Sequence, residues 1–574
     1  MPASGGGRRG RRRSRMLPHP GTIRRFPRAD LPTPPPGTRR TDACPVKRYD
    51  AIVIGGGHNG LVTAAYLARA GLRTVLLEKN ERVGGATYSE EIRPGFTVSV
   101  FSYVVSLLRP QIIDDLNLAG HGLQLHPLDG TFTPLRDGRA LMRWHDPALT
   151  RESLLQFSRR DADNYPRFGH RMHLLSRAVR ELLTMRPPRV GSLQPGELSG
   201  MARLARHFAS LGDRRFHELA RLMTASSSDY LDRWFETEPL KATMAASGII
   251  GTFLGIRSPG TAYVLLHHYM GEIDGASRSW GFAQGGMGSV AEALASSARW
   301  FGAEIRTGAG VSRILTRNGR ATGVVLEDGE EITGKRVASS LDPRLTFLRL
   351  LPEEDLPGSF VATIRRYRLR GSSGKVNLAL DGLPDFTAMP GPGPHLQGAI
   401  SISPDRETMD RAYDDAKYGK YSREPYLDVL IPSLIDPTLA PPGRHVMSIF
   451  VQYAPYALAE GAADWDNQRD AFGDAVIRTL AQYAPNLPDL ILERQVLTPL
   501  DIERRTGLGE GNIFQGELGL DQLFFLRPAP GWAQFRTPLT GLFLCGSGAH
   551  PGGGVMGAPG KLAADAMIGR RRSA

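Results

Sequence analysis

The stretch from Tyr49 to Lys79 restricts the fold more than any other part of the chain, because it reads without a break as strand, turn, helix and second strand. Asp50 to Ile54 is a short apolar, largely β-branched run that stops at glycine, the pattern of a parallel strand covered on both faces. Gly55, Gly57 and Gly60 follow as GxGxxG. Gly55 serves the tight turn, Gly57 lets backbone amides approach a pyrophosphate, and Gly60 lets the helix lie close to the strand. Leu61 to Ala70 carries helical residues, Gly71 stops them, and Arg73 to Leu77 returns as a strand ending at Glu78. Glu78 stands 18 positions after Gly60, near the offset of about 20 at which a carboxylate accepts hydrogen bonds from a ribose diol. A bare GxGxxG says little. With strand, helix, second strand and acid in register it predicts a dinucleotide site on a Rossmann-like α/β domain.

That loop alone suits NAD, NADP or FAD. Glu81 to Ala86 follows at once as ERVGGA, a second glycine doublet beside Arg82, and it resembles the extension with which flavin proteins pass the pyrophosphate again. The doublet therefore favours FAD.

A chain of 574 residues exceeds one ordinary core, so two interleaved domains are expected. The 41% hydrophobic and 22% charged composition is that of a soluble globular protein. The net charge of +13 points to nucleic acid only until it is located. Residues 1–48 hold 13 Lys/Arg against Asp30 and Asp42, which leaves a body close to neutral and argues against a nucleic-acid face. Cys44 and Cys545 form no CxxC, which removes thiol-disulfide chemistry and a thiolate zinc site; Cys545 reads as a small core residue ending a strand. His267 and His268 are adjacent and diverge on any helix or strand, so no metal pair is expected. No apolar run reaches the 18 residues of a membrane span. The nearest, Ala242 to Ile256, contains Gly248, Gly251 and Gly255 and reads as a buried helix or pocket wall.

Residues 1–48, rich in Gly, Arg and Pro, read as a disordered basic tail, with Met16 an alternative start. The tail lacks the apolar region of a signal peptide. It has the Arg-rich, acid-poor composition of a transit peptide, although its Pro and Gly spoil an amphipathic helix. The expected location is the cytoplasm for a bacterial source and the mitochondrial matrix for a eukaryotic one.

The rest divides by pattern. Residues 49–100 form the first part of the dinucleotide domain, and 101–280 the first part of a substrate (cap) domain with helices over Asp161–Leu183, Leu198–Ser210 and Arg214–Phe235. Residues 281–345 return to the dinucleotide domain, with a helix over Ser289–Phe301, strands over Ala303–Thr307 and Val337–Ser340, and a hairpin of Val311–Thr316 and Ala321–Glu327 around Asn318-Gly319. Residues 346–520 complete the cap with strands over Val376–Leu380, Leu427–Ile431 and Val446–Tyr453 and a helix over Arg469–Ala481. Residues 521–574 supply the last dinucleotide-domain strand, Thr540–Cys545, and a helix over Gly557–Gly569.

Several long segments carry a resemblance: Phe216–Glu236, Gly271–Val290, Ser340–Pro352 and Gly516–Gly560, the last ending LCGSGAHPGGGVMGAPG. On these residues the chain resembles the phytoene-desaturase-like branch of the FAD-dependent amine-oxidase superfamily, in particular its pyridine nucleotide-disulphide oxidoreductase domain-containing group, from about residue 49 to the end. The resemblance implies an FAD-binding domain built from three separated segments with an α+β cap inserted. Gly55, Gly57, Gly60, Glu78, Arg82, Gly84 and Gly85, with Lys79 and Ala86 beside them, match the family's FAD loop. Val311 matches the strand whose backbone meets the adenine, and Gly546, Ser547, Val555 and Met556 match the segment along the flavin. Ser547 departs from the acid that many flavoenzymes place there. The disulphide in the group's name finds no redox cysteine pair, and no second GxGxxG stands ready for a nicotinamide cofactor.

The implied activity is an FAD-dependent oxidoreductase acting on an apolar or polyene-like substrate or on an amine. The other reading is a binding or regulatory protein that keeps the fold, as Rab GDP-dissociation inhibitors do. A small-molecule substrate is expected, and a peripheral membrane contact or a protein partner stays open. Two residues are candidates for catalysis. His550, in the glycine-rich turn, is a base or tunes the ring, or else is a turn histidine bonded to backbone. Lys375 opens the apolar strand Lys375–Leu380, which resembles the amine-oxidase strand presenting a lysine at the flavin; the alternative is a solvated lysine following Gly371-Ser372-Ser373-Gly374. His58 reads as positional, and Trp280 and Phe282 as pocket wall or packing.

Overall fold

A computed structural model describes residues 48–273, 276–277 and 280–569. The basic tail through residue 47, with Met16 and Cys44, lies outside the described residues, so the expectation of disorder there is untouched.

Five parallel strands form the central sheet in the order Glu304–Arg306, Thr74–Leu77, Ala51–Ile54, Val337–Ser339, Leu542–Leu544. All residues of the four strands other than Glu304–Arg306 are buried, as the unbroken apolar runs require when both faces are covered. The helices Gly288–Trp300 and Ala558–Ile568 pack on either side of His58–Arg69 in one layer, and the same core takes in Ile314, Val324 and Ile332 from a smaller sheet. Three distant stretches of chain thus build one nucleotide-type sheet. A smaller sheet flanks it, containing the hairpin Val311–Arg317 and Arg320–Leu326, with Asn318 and Gly319 both at positive φ as the Asn-Gly turn predicts. Cys545 is fully buried just past the last parallel strand, and burial pushes its thiol up to about 12.

The second large sheet has seven strands in the order Ile491–Leu497, Ser373–Leu380, His445–Gln452, Tyr426–Leu430, Ala399–Ile402, Gly130–Pro134, Ala140–Trp144. Every pair is antiparallel except Ala399–Ile402 with Gly130–Pro134. Alternation gives this sheet two unlike faces. Val376, Leu378, Val429 and Ile449 point one way, into a core with Trp465 and Phe472 of the helix Trp465–Ala481. Lys375, Asp428 and Ser401 belong to the opposite face and line cavities instead.

The helical part of the cap follows the expected positions with one difference. The predicted helix Arg214–Phe235 is two helices, Gly212–Thr224 and Ser227–Asp232. Ser226 is extended between them and its hydroxyl accepts from the Asp229 amide at 3.0 Å. A serine in that Ala-Ser-Ser-Ser run caps a new helix more favourably than it continues an old one. Ala242–Ile256 starts in the helix Glu238–Ala245 and continues irregularly, and its Ile250 becomes a wall of both main cavities. Among the described residues no helix is long and apolar enough to cross a membrane.

Candidate functional site

The site begins at the N-terminus of the helix His58–Arg69. A Cβ placed on Gly60 would lie 2.1 Å from the Gly55 carbonyl oxygen, so the loop and helix close only with glycine there. Gly57 is different. A Cβ on it meets nothing within 4 Å, which leaves open space over the helix's first amides. The second doublet is laid against this loop: the Gly84 amide donates to the Gly56 carbonyl at 2.9 Å, and Gly57 bridges Gly84. Glu78 stands at the end of its strand with Oε2 accepting from the Gly56 amide at 2.6 Å and Oε1 from the Asn80 amide at 2.9 Å. Burial pushes its carboxyl above the usual carboxylate range, against the lowering effect of those amides.

Other residues of the predicted cradle divide. The Ala309 amide donates to the Glu78 carbonyl at 2.7 Å, which brings the start of the Val311 strand beside Glu78. Ala86 lines the inner cavity. Lys79 is exposed and faces Glu327 at 3.9 Å, and the exposed Arg82 lies over the Tyr88 ring and donates to the Ser89 carbonyl at 3.3 Å. Both side chains make surface contacts only.

The C-terminal segment closes over the loop. A Cβ on Gly546 would be 2.2 Å from the Ser340 carbonyl oxygen, so the chain must be glycine at this crossing. Asn59 Nδ2 donates to Ser547 Oγ at 3.0 Å, which shows what the serine does in place of an acid: it ties this segment to the phosphate loop. Val555 adopts φ +54°, a costly conformation for a β-branched residue, on the cavity wall. Met556 is buried, and its carbonyl accepts from the Arg109 amide at 3.2 Å. Arg527 was not foreseen. Wholly buried, it donates to the carbonyls of Ser547, Phe514, Gly516, Glu517 and Gln522, so its fork fixes the backbone behind Ser547.

Whether these residues fit a dinucleotide can be tested on atoms left over. Nε2 of His58 and Oδ1 of Asn59 are buried without a partner at the same helix N-terminus that Gly57 leaves open. Buried polar atoms in this condition are uncommon and suit a bound ligand. The cradle fits.

An inner chamber of about 140 Å³ adjoins this cradle, walled by His58, Ser547, Gly554 and Val555 on one side and by Tyr103 and Lys375 on the other. Phe101, Leu107, Ile250, Phe450 and Phe514 make most of it apolar. Lys375 is 2% exposed, which rules out the solvated lysine. Its Nζ donates to the carbonyls of Phe101 at 2.8 Å and Ser99 at 3.0 Å and stands 4.8 Å from the Tyr103 ring centre. Burial drives its pKa well below the usual lysine value. Tyr103 in turn donates to Asp428 Oδ2 at 2.8 Å, and burial pushes that carboxyl up to about 6.

His550 does not belong to the chamber wall. Its Nε2 meets the Leu182 carbonyl at 2.9 Å, and burial lowers it to about 4. The ring meets the end of the cap helix Arg159–Leu182, so the residue joins two parts of the chain as a turn histidine bonded to backbone. Trp280 lines the chamber, stacked on His268 at 5.7 Å, whereas Phe282 packs with Leu128 and Leu430. Among the described residues no His, Cys, Asp and Glu cluster suits a metal ion.

An outer chamber of about 470 Å³ shares Ile250, His268 and Trp280 with the inner one. Arg143, Tyr426, Asp428, Ser401 and Thr243 line it, and none was singled out from the sequence. Asp137-Gly138 between alternating runs was a hairpin signal for the strand carrying Arg143, and an acid inside the apolar YLDVL was a signal for Asp428.

Comparison with known proteins agrees with this geometry. The model of the flavin containing amine oxidoreductase family matches residues 60–568. A rat protein called pyridine nucleotide-disulfide oxidoreductase domain-containing protein 2 is 44% identical over 93% of this chain and 96% of its own. A lycopene-forming phytoene desaturase of Pseudescherichia vulneris is 26% identical over 90% of this chain and 98% of its own. A solved structure of putrescine oxidase with putrescine bound superposes with a TM-score of 0.57 at 16% identity, covering 92% of this chain and all of that one, a likeness of fold.

Proposed function

The chain belongs to the flavin-containing amine oxidoreductase family and is an FAD-dependent oxidoreductase, and we propose that its substrate presents an apolar C–H bond, rather than an ammonium-bearing one, in the inner chamber. The observation that carries this reading is the chamber's lining. Lys375 is its one buried amine, and no carboxylate is among the described residues that line it. An ammonium substrate would find no counter-ion in a dry site, while an alkene or alkyl chain meets Phe101, Leu107 and Phe514.

FAD, when bound, accepts a hydride or two electrons from the substrate bond. The residues for holding it are the Gly55–Gly60 loop with the helix behind it, Glu78 for the ribose, the Gly84–Gly85 doublet, and the Gly546–Ser547 and Val555 backbone. Apolar walls position the substrate and exclude water. Lys375, fixed by two carbonyls, presents a held amine to the chamber. The putrescine oxidase and desaturase likenesses admit both substrate types, and the chamber favours the second. A flavin-fold binding protein without turnover is not favoured, since the phosphate loop and Glu78 are intact.

The test is anaerobic bleaching of the purified yellow protein. Micellar polyene or cyclic alkene is expected to bleach it and aliphatic diamines are not; bleaching by diamines alone would overturn the apolar reading.

A further inference from the structure

Arg143 is a guanidinium whose hydrogen-bonding fork the fold leaves largely idle, although its charge acts on Asp428 in the same chamber. Its Nε is buried with no partner, its Nη2 makes one 3.4 Å contact with Thr243 Oγ1, and no carboxylate pairs with it within salt-bridge distance among the described residues. Yet its position is built. The strand Ala140–Trp144 presents it opposite Thr131, and Thr243 is itself fixed by a 3.0 Å bond from Thr133. A half-buried arginine with an idle donor is costly unless something with oxygens fills the gap.

The sheet places this arginine in line with the inner chamber. Lys375 pairs with Phe450, Phe450 with Asp428, and Asp428 with Ser401, so these four share one face in one row. Ala399, two residues before Ser401, pairs with Thr131, and Thr131 with Arg143, on that same face. Five strand spacings separate the strand of Lys375 from that of Arg143, roughly 24 Å along the floor before two long side chains reach inward. The floor joins the two chambers, which share Ile250, His268 and Trp280 as wall.

We propose that the outer chamber is a substrate subsite for an oxyanion, with Arg143 as its anchor, and that the substrate is an amphipathic carboxylic acid whose apolar arm enters the inner chamber. The proposal rests on the inner chamber being the oxidation site. A carboxylate matches the planar fork of one arginine and is a monoanion, the charge one arginine balances. A dianionic phosphate would meet Asp428 across the same chamber with no second free cation to offset it among the described lining residues. Asp428 tolerates the monoanion because its Oδ2 is taken by Tyr103 and Lys375 stands on the far side of that ring. Thr243, Ser247 and Ser401 supply hydroxyls around the head group. Arg143 is thus a specificity residue remote from the chemistry.

The experiment uses the FAD-loaded full chain and equilibrium dialysis of three ten-carbon probes: decanoate, decanol and decylammonium. Decanoate is expected to bind at least tenfold tighter than decanol, and decylammonium weakest. Arg143→Met should abolish the decanoate advantage and leave decanol unchanged, and Arg143→Lys should restore part of it. Equal binding of decanoate and decanol by the wild-type protein would overturn the proposal whether or not the variants fold, and so would an unchanged decanoate affinity in Arg143→Met. The two readings fail separately. Bleaching by hydrocarbons with no preference for decanoate would sink the subsite alone, whereas an Arg143-dependent preference without any bleaching would uphold the subsite and sink the oxidation site.

Discussion

Gly57 and Gly60 belong to one motif but are glycine for different reasons, and alanine at each separates the two. Gly57 has φ −66° and ψ 166°, values any residue adopts, and its missing side chain faces open space. Gly57→Ala therefore adds no clash to the protein without cofactor; the reduced entropy of the unfolded chain makes it neutral or more stable by about 0.4–1 kcal/mol. The methyl group instead occupies the space through which the pyrophosphate reaches the helix amides. Losing one such charge-assisted bond costs about 1.5–3 kcal/mol, a ten- to hundredfold weaker FAD affinity. At Gly60 the methyl lies 2.1 Å from the Gly55 carbonyl oxygen and 3.1 Å from Ser340 Oγ. Backbone must move, at about 1–3 kcal/mol, and the gain of about 1 kcal/mol from alanine's helix propensity does not recover it in full. Urea unfolding of the deflavinated variants, followed by tryptophan fluorescence, should give Gly57→Ala the wild-type midpoint or a higher one and Gly60→Ala a lower one. Quenching of FAD fluorescence should show weak binding by Gly57→Ala at full stability. Equal losses of stability in both variants, or wild-type FAD affinity in Gly57→Ala, would refute the reasoning.

Further outcomes concern two buried titratable groups. Lys375→Met should slow reoxidation of the reduced flavin at least tenfold, about 1.4 kcal/mol of barrier, and stopped-flow absorbance reads it directly. Because the native Lys375 pKa is lowered, the unfolded chain binds a proton that the native chain does not between that value and about 10.4; wild-type stability rises with pH across this window, and the variant should lose the rise. His550→Gln should leave anaerobic flavin reduction unchanged, since the ring faces Leu182 and not the chamber. With a native value of about 4 against about 6.5 unfolded, His550 makes the protein less stable as pH falls from 6.5 toward 4, by up to about 1.4 kcal/mol per unit. The variant's melting temperature should fall less steeply over that interval, and a catalytic defect in it would restore His550 to the chemistry.

The parts of this molecule that were legible in the sequence are those whose cause is local. Strand, turn and helix at Tyr49–Lys79 follow from apolar run, glycine spacing and glycine stop, and the Asn318-Gly319 turn from the one dipeptide suited to it. Glu78 was legible because its distance from the loop is set by one helix length. His550 misled for the complementary reason. A histidine among glycines beside a cofactor segment is equally suited to chemistry and to holding a turn, and the partner that decides, the Leu182 carbonyl, is 368 residues away in the chain.

The outer chamber was illegible for a reason of the same kind, carried further. Arg143, Ser401, Asp428 and Lys375 come from four strands separated by long stretches of chain, and no spacing in the sequence relates them. What relates them is strand register, and register is decided by the opposite face of the sheet. Val376, Leu378, Val429 and Ile449 must meet Trp465 and Phe472, and a slip of one residue would turn that whole set out of its core. The apolar side therefore positions the polar side. Lys375 and Asp428 can stand buried in one row, at the energetic cost that burial imposes on both, because the cost of moving them is charged to eight or more core side chains behind the sheet. A polar row held by such a core is not free to relax by slipping, which is why an arginine at its end can keep a donor unpaired and available to a substrate.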